Sequence, residues 1–271
     1  MISTLTAPAP LFVTRTLFSP PASPLHAQMV VEPLDMGTAR AFVRTHHYAR
    51  TTPSTTRCAY GLYDCRGNLG GVAIWGVGVR PKHTIAKWFP GVDTKDYLEL
   101  NRLCLLDEWP RNSESQFLKI VAAHIKKDAP NVKLLISWAD GLRGKPGYVY
   151  QGANWLYGGH ISSDFYTDQA GYVLHPRFLI TRYGSRGKET VRRLNLRHYY
   201  GKQFMYAKFL CPRPERETLL KQSPFTWGQS YPKAADATLT VDNGDGVRRN
   251  CMTFPTLLGR ADNYTFNNAD E

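Results

Sequence analysis

The string Ser137-Trp138-Ala139-Asp140-Gly141 sets a carboxylate at the end of an apolar run, KLLISWA at 133–139, which reads as a buried central strand. Open α/β sheets take their ligands just beyond the carboxyl ends of such strands. Tyr148, Tyr150, Asn154, Trp155 and Tyr157 follow within one short segment. A carboxylate in that company suits chemistry on the exocyclic amine of a planar base. Adenine's amine is a weak nucleophile because its lone pair is delocalised into the ring. The base must therefore be held between aromatic faces while an acceptor takes the N6 proton. Asp140 with a neighbouring tyrosine can do this. The same aspartate would serve equally well to tether a loop, and the same rings to fill a core.

Two further groups of residues invite chemical readings. Pro110-Arg111-Asn112-Ser113-Glu114-Ser115-Gln116 precedes the apolar helix FLKIVAAHIKK, and Ser113 with Gln116 fits a capping box. A helix start offers unpaired N–H groups and a positive dipole end to a pyrophosphate. This one has no glycine, and its Glu114 would repel phosphate. An ordinary capped helix is the competing reading. His46-His47-Tyr48 closes an earlier helical pattern; a histidine there can be a partner of the helix dipole, a general base or a metal ligand.

Between 177 and 208 there are nine Lys or Arg residues against a single acid, Glu189. Tyr183, Tyr199, Tyr200 and Tyr206 are interleaved with them. A basic tract with aromatics suits nucleic acid, through phosphate contacts and stacking on bases. From it we take Arg177, Arg182, Arg186, Arg192, Arg193, Arg197 and Lys202 as DNA-binding candidates. A solvated basic surface is the bland alternative.

The elements that must position these groups follow from periodicity. A strand is expected at 28–33, a helix at 35–48, and strands at 58–63 and 69–79 joined by a hairpin turn. A loop is expected at 80–95, a strand at 96–106, a helix after 112, and a strand at 133–139. A short helix at 148–154 follows, then strands near 155–161, 171–174, 178–183 and 203–210. This order predicts a single α/β (α+β) domain built on one mixed sheet with helices on both sides. Residues 1–27, with five prolines, read as an extended N-terminal arm, 28–233 as the domain, and 234–271 as a weakly ordered C-terminal extension.

Composition narrows the class. The net charge of +12 favours polyanionic partners. No apolar run is long enough to span a membrane. The first residues lack the basic start of a secretory signal, so a cytoplasmic protein is expected. The five cysteines are scattered without a C-x-x-C pair, which supports neither a zinc ribbon nor a disulfide framework.

The strand–capped helix–strand topology and Arg111 resemble the acyl-CoA site of the GNAT (N-acetyltransferase) fold, without its phosphate-loop glycines. More specifically, HHY at 46–48, YLELNRLCLLDE at 97–108, RNSESQFLKIVAAHI at 111–125, LLISWADGLRGKPGYVYQGANWLYGG at 134–159 and YPK at 231–233 resemble the Mom DNA-modification proteins of phages. That resemblance covers residues 28–233. It implies a GNAT-like domain with a mostly antiparallel central sheet. It also implies action on double-stranded DNA with a flipped adenine, converted to N6-carbamoylmethyladenine so that phage DNA escapes host restriction. Carried over, the site falls on His47, Tyr48, Arg102, Ser115, Asp140 and Tyr150. Asp140 with Tyr150 would handle the N6 proton. Arg111, Ser113, Ser115 and Arg102 would meet the donor: acetyl-CoA, another CoA-type molecule or a glycine-derived group. His47 is a candidate base or a ligand for iron or another divalent metal. A homodimer is left open. The alternatives are an N-acetyltransferase of the same fold acting on a protein, tRNA or small-molecule amine, and a DNA-binding protein without catalysis.

Overall fold

The computed structural model describes residues 29–78 and 81–258; the arm expected at 1–27 lies outside them. The chain begins with β1 (Val30–Leu34) and α1 (Met36–His46), whose N-cap Asp35 accepts a 2.9 Å bond from the Thr38 amide. The hairpin of β2 (Thr56–Tyr63) and β3 (Leu69–Gly76) follows, then the short α2 (Ile85–Trp88) and β4 (Tyr97–Leu105). Next come α3 (Ser113–Asp128), β5 (Leu134–Asp140), a 3-10 turn at Gly141–Arg143, α4 (Tyr148–Gly152) and β6 (Leu156–Thr167). The chain continues through β7 (Val173–Leu174), α5 (Pro176–Tyr183), α6 (Lys188–Arg193), β8 (Arg197–Phe209) and α7 (Arg213–Gln222). It closes with β9 (Thr240–Asp242) and β10 (Arg248–Asn250).

The strands form one sheet in the order β1-β2-β3-β4-β5-β8-β6-β7, with β9 on β8 and β10 on β9. Every pairing is antiparallel except β4 with β5. The mixed, mostly antiparallel sheet expected from the sequence is therefore present. Alternation along the strands assigns its two faces. Ala73, Trp75, Leu135 and Ala139 pack with Phe117, Val121 and Ile125 of α3 and with Tyr150 of α4. Val72 and Ile74 pack with Ala39, Phe42 and Val43 of α1, while Leu134 and Ile136 pack with Ile85, Trp88 and Leu219 of α2 and α7. Helices cover both faces.

Four local expectations are corrected. Residues 178–183 form a helix, because its ends are specified on both sides. The His175 ring accepts from the Arg177 amide at 3.1 Å, Pro176 occupies the first turn, and Gly184 closes it at φ 74°. Residues 85–88 are helical within the expected loop, because Trp88 and Phe89 are core residues. Helix α3 has no capping box: Asn112 is its N-cap, in the left-handed region, and the Ser113 hydroxyl donates back to the Pro110 carbonyl at 2.6 Å. Finally, residues 234–258 continue onto the domain instead of trailing away. β5 ends at Asp140 opposite Gln203, which leaves the β8 edge at 198–200 open, and β9 pairs with it there.

Candidate active site

The site is made by a divergence. β4 and β5 pair only at Tyr97–Leu134, Leu98–Leu135 and Glu99–Ile136. Beyond Glu99 the two strands part. The β5-facing edge of β4 from Asn101 to Leu105 has no strand partner, and a cavity of about 730 Å³ opens between the strands. His47, Tyr48, Glu99, Arg102, Asp140 and Tyr150 all line it. Of the residues picked out by sequence, five are thus gathered from four separate segments.

Asp140 ends β5 on one wall. Its carboxylate lies 3.4 Å from Arg143 Nε across the 3-10 turn. Burial raises its pKa above the ordinary carboxylate value, against the opposing pull of Arg143, the Leu142 amide, Lys145 and the Tyr48 hydroxyl. The tyrosine beside Asp140 is therefore Tyr48, delivered from the end of α1. Its ring stacks on His47 at 4.2 Å between centroids, and the Arg143 guanidinium lies 4.3 Å from its centroid. Tyr150, in contrast, is anchored in the core. Its hydroxyl accepts from Ser137 Oγ at 2.8 Å, its ring packs between Trp155 and Tyr206, and burial pushes its pKa up to about 12.

His47 accepts the Ala49 amide on Nδ1 at 3.0 Å. Burial, followed by the charges of Arg102, Lys145 and Arg143, lowers its pKa to about 4, so the ring is neutral at neutral pH. Iron does not fit here. Among the described residues no group of three His, Cys, Asp or Glu is placed to hold a metal, and the charges of Arg102, Lys145 and Arg143 act on His47. Arg102 is fixed by bonds to the carbonyls of Thr51 and Asn101, at 2.7 and 2.5 Å.

The donor-binding candidates at the start of α3 are placed differently. Ser115 is buried and its hydroxyl donates to the Val149 carbonyl at 3.0 Å, tying α3 to α4. Ser113 is buried against Pro110, and Arg111 is exposed; neither lines the cavity, although Glu114 does. In the basic tract, Arg177, Arg182, Arg186, Arg192 and Arg193 are exposed on or beside α5 and α6, with Arg197 and Lys202 half-buried on β8. The interleaved aromatics are not stacking platforms. Tyr199 and Tyr206 are buried on opposite faces of β8, Tyr183 of α5 packs on Phe178, and the half-buried Tyr200 is covered by His198 and Arg248.

Sequence reasoning missed Glu99, and it named Tyr148 only as one of the aromatics that follow Asp140. Glu99 sits where the strands part, and burial raises its pKa to about 7. An acid alternating with leucines in YLEL was the available signal. Tyr148, 56% exposed, stands on the cavity wall like Tyr48, 50% exposed, so two solvent-facing rings flank the opening.

The loop that carries Tyr148 depends on Gly147. Its φ is 97°, and a Cβ there would lie 2.5 Å from the buried Tyr206 ring. Gly147→Ala is expected to lower unfolding stability by about 2 kcal/mol, from the disfavoured φ and the clash together. Denaturant unfolding measures this.

A cleft between parting strands, walled by two carboxyls with raised pKa and by fixed cations, belongs to a group-transfer enzyme of mixed α/β fold. The Mom protein family model matches residues 28–233. The chain is 30% identical over 215 residues to the methylcarbamoylase Mom of Escherichia phage Mu, covering 76% of this chain and 84% of that one. Among solved structures it is similar to a spermidine/spermine N-acetyltransferase of Vibrio cholerae, with TM-score 0.43, 9% identity, 71% of this chain and 99% of the other covered. An IAA acetyltransferase of Bacillus cereus gives TM-score 0.37 and 10% identity, with 67% and 99% covered. The chain belongs to the Mom protein family.

Proposed function

We propose that the protein modifies adenine in duplex DNA, transferring a carbamoylmethyl group to N6 and so shielding phage DNA from restriction in the host cytoplasm. The observation that carries this reading is Asp140 with Tyr48 at the mouth of the β4–β5 cleft. An extruded adenine enters beside Tyr148, whose exposed ring supplies an aromatic face, past the Tyr48 ring that His47 and Arg143 already cover. Asp140, a stronger base than a solvated aspartate, takes the N6 proton as the N6–carbon bond forms. Glu99 is the second proton acceptor on the cavity wall.

The donor in this reading is of the CoA type. The unpartnered edge of β4 from Asn101 to Leu105 would hold an extended arm by main-chain bonds, with the start of α3, whose Glu114 lines the cavity, at its far end. Such a donor would have to carry the carbamoylmethyl group on its sulfur through the methylene carbon, so that the S–CH₂ bond breaks and the thiolate leaves with its electron pair as N6 attacks that carbon. Because the new bond in the product is N6–CH₂, the leaving group must sit on the methylene carbon. A plain acetyl thioester, with its leaving group on the carbonyl, would give the N6-amide instead.

The test is co-expression with a plasmid, digestion with adenine-sensitive restriction enzymes, and mass spectrometry of the nucleosides. Protection with a carbamoylmethyl-adenine mass is the expected result. An acetyl mass would place the protein with ordinary acyl transfer. Unmodified nucleosides would leave either an N-acetyltransferase with another substrate or a DNA-binding protein without catalysis.

A further inference from the structure

A second cavity, of about 530 Å³, opens beside the β6–β8 hairpin, where α6 and the turn between β9 and β10 approach it. One side is a column of stacked groups. Tyr166 lies 3.9 Å from His198, His198 lies 3.9 Å from Tyr200, and the Arg248 guanidinium lies 3.5 Å from the Tyr200 centroid. These groups cover one another's faces and Tyr166 is buried, so no ring face is left for a base.

Both carboxylates of the cavity are already engaged. Asp164 accepts from Arg186 and lies against His198 Nε2, both at 2.8 Å. Asp242 accepts the Gly244 and Gly246 amides at 2.8 and 2.9 Å. Lys188 and Arg248 make no ion pair among the described residues. With the Ser162 hydroxyl, they leave a lining of donors with surplus positive charge and committed acceptors. Such a lining suits a phosphate oxyanion.

The geometry points to this cavity as a seat for a phosphodiester of the DNA strand, with Lys188 and Arg248 as the lining cations that make no ion pair among the described residues. This rests on the reading of duplex DNA as the substrate. Exposed Arg192 and Arg193 continue the positive charge along α6 beyond Lys188, which favours a strand of phosphates over a single free one.

The experiment compares the full chain with the Lys188→Gln/Arg248→Gln variant, measuring fluorescence anisotropy on a labelled duplex across a salt series. The slope of log Kobs against log salt is expected to shrink by about 1.8, at ~0.9 per lost phosphate contact. Lys188→Gln alone, which keeps the Arg248 stack, is expected to give about half of that change. Unaltered slopes in both variants, with the parent binding DNA, would overturn the phosphate seat and leave the DNA reading standing. No duplex binding by the parent would sink the DNA reading itself. Unaltered slopes together with loss of a melting shift produced by inorganic phosphate would identify a site for free phosphate, and the backbone assignment would be wrong.

Discussion

The Asp140→Asn protein binds duplex DNA at least as tightly as the parent and leaves its adenines unmodified. An amide at this position keeps the shape of the cleft but cannot take the N6 proton, and a positioned general base contributes about 10²–10⁴-fold to rate. In the plasmid assay that loss removes restriction protection. The substitution should also leave the fold intact. Burial holds the Asp140 pKa above its ordinary value, so the folded state binds this proton more tightly than the unfolded chain does. Its stabilising share is therefore complete at low pH and is lost as pH rises through the raised pKa. Above that point the ionised carboxyl costs stability, and the neutral amide relieves the cost. Lost modification combined with a melting temperature equal to or above the parent's at pH 8 is the expected pair of results. Retained modification would remove Asp140 from the chemistry.

Glu99→Gln is expected to produce the larger change in stability. Burial raises the Glu99 pKa from 4.5 to about 7. The linked cost of ionisation is about 3 kcal/mol, at ~1.4 kcal/mol per unit. The sign follows from the direction of the shift. Stability contributed by the protonated form is present below pH 4.5, declines between 4.5 and 7, and is gone above 7. Denaturant unfolding across that window should show a slope in the parent that the glutamine variant lacks, with the variant ahead by up to about 3 kcal/mol at pH 8. Modification should fall in the same variant. A carboxyl that costs the fold this much, placed where two strands separate, is consistent with a proton-accepting role on the cavity wall. Parallel pH profiles for the two proteins would mean that Glu99 is better solvated than its position implies.

Much of this architecture could be read from the chain. The run at 133–139 gave β5 and set Asp140 at its end, and the helix after 112 and the β2–β3 hairpin followed from periodicity and turn composition. These signals are local: a strand or helix announces itself through neighbours two to four residues away. The same locality misled at 178–183, where β-prone residues sit inside a helix fixed by caps on either side. It misled again at 234–258, where pairing depends on an edge left open by a strand a hundred residues earlier.

By itself the sequence determined the type of fold, the excess of positive charge, and which strand ends carry acid. The tertiary structure decided which groups share the cleft. It brought Tyr48 from the first helix to Asp140 and committed Tyr150 to the core. It drew Ser115 into a helix–helix bond and exposed the β4 edge by parting two strands after three paired residues. The physical reason is range. Hydrogen bonding within elements is written in adjacent residues, whereas burial, and the pKa shifts it causes, depends on surfaces brought together from distant parts of the chain.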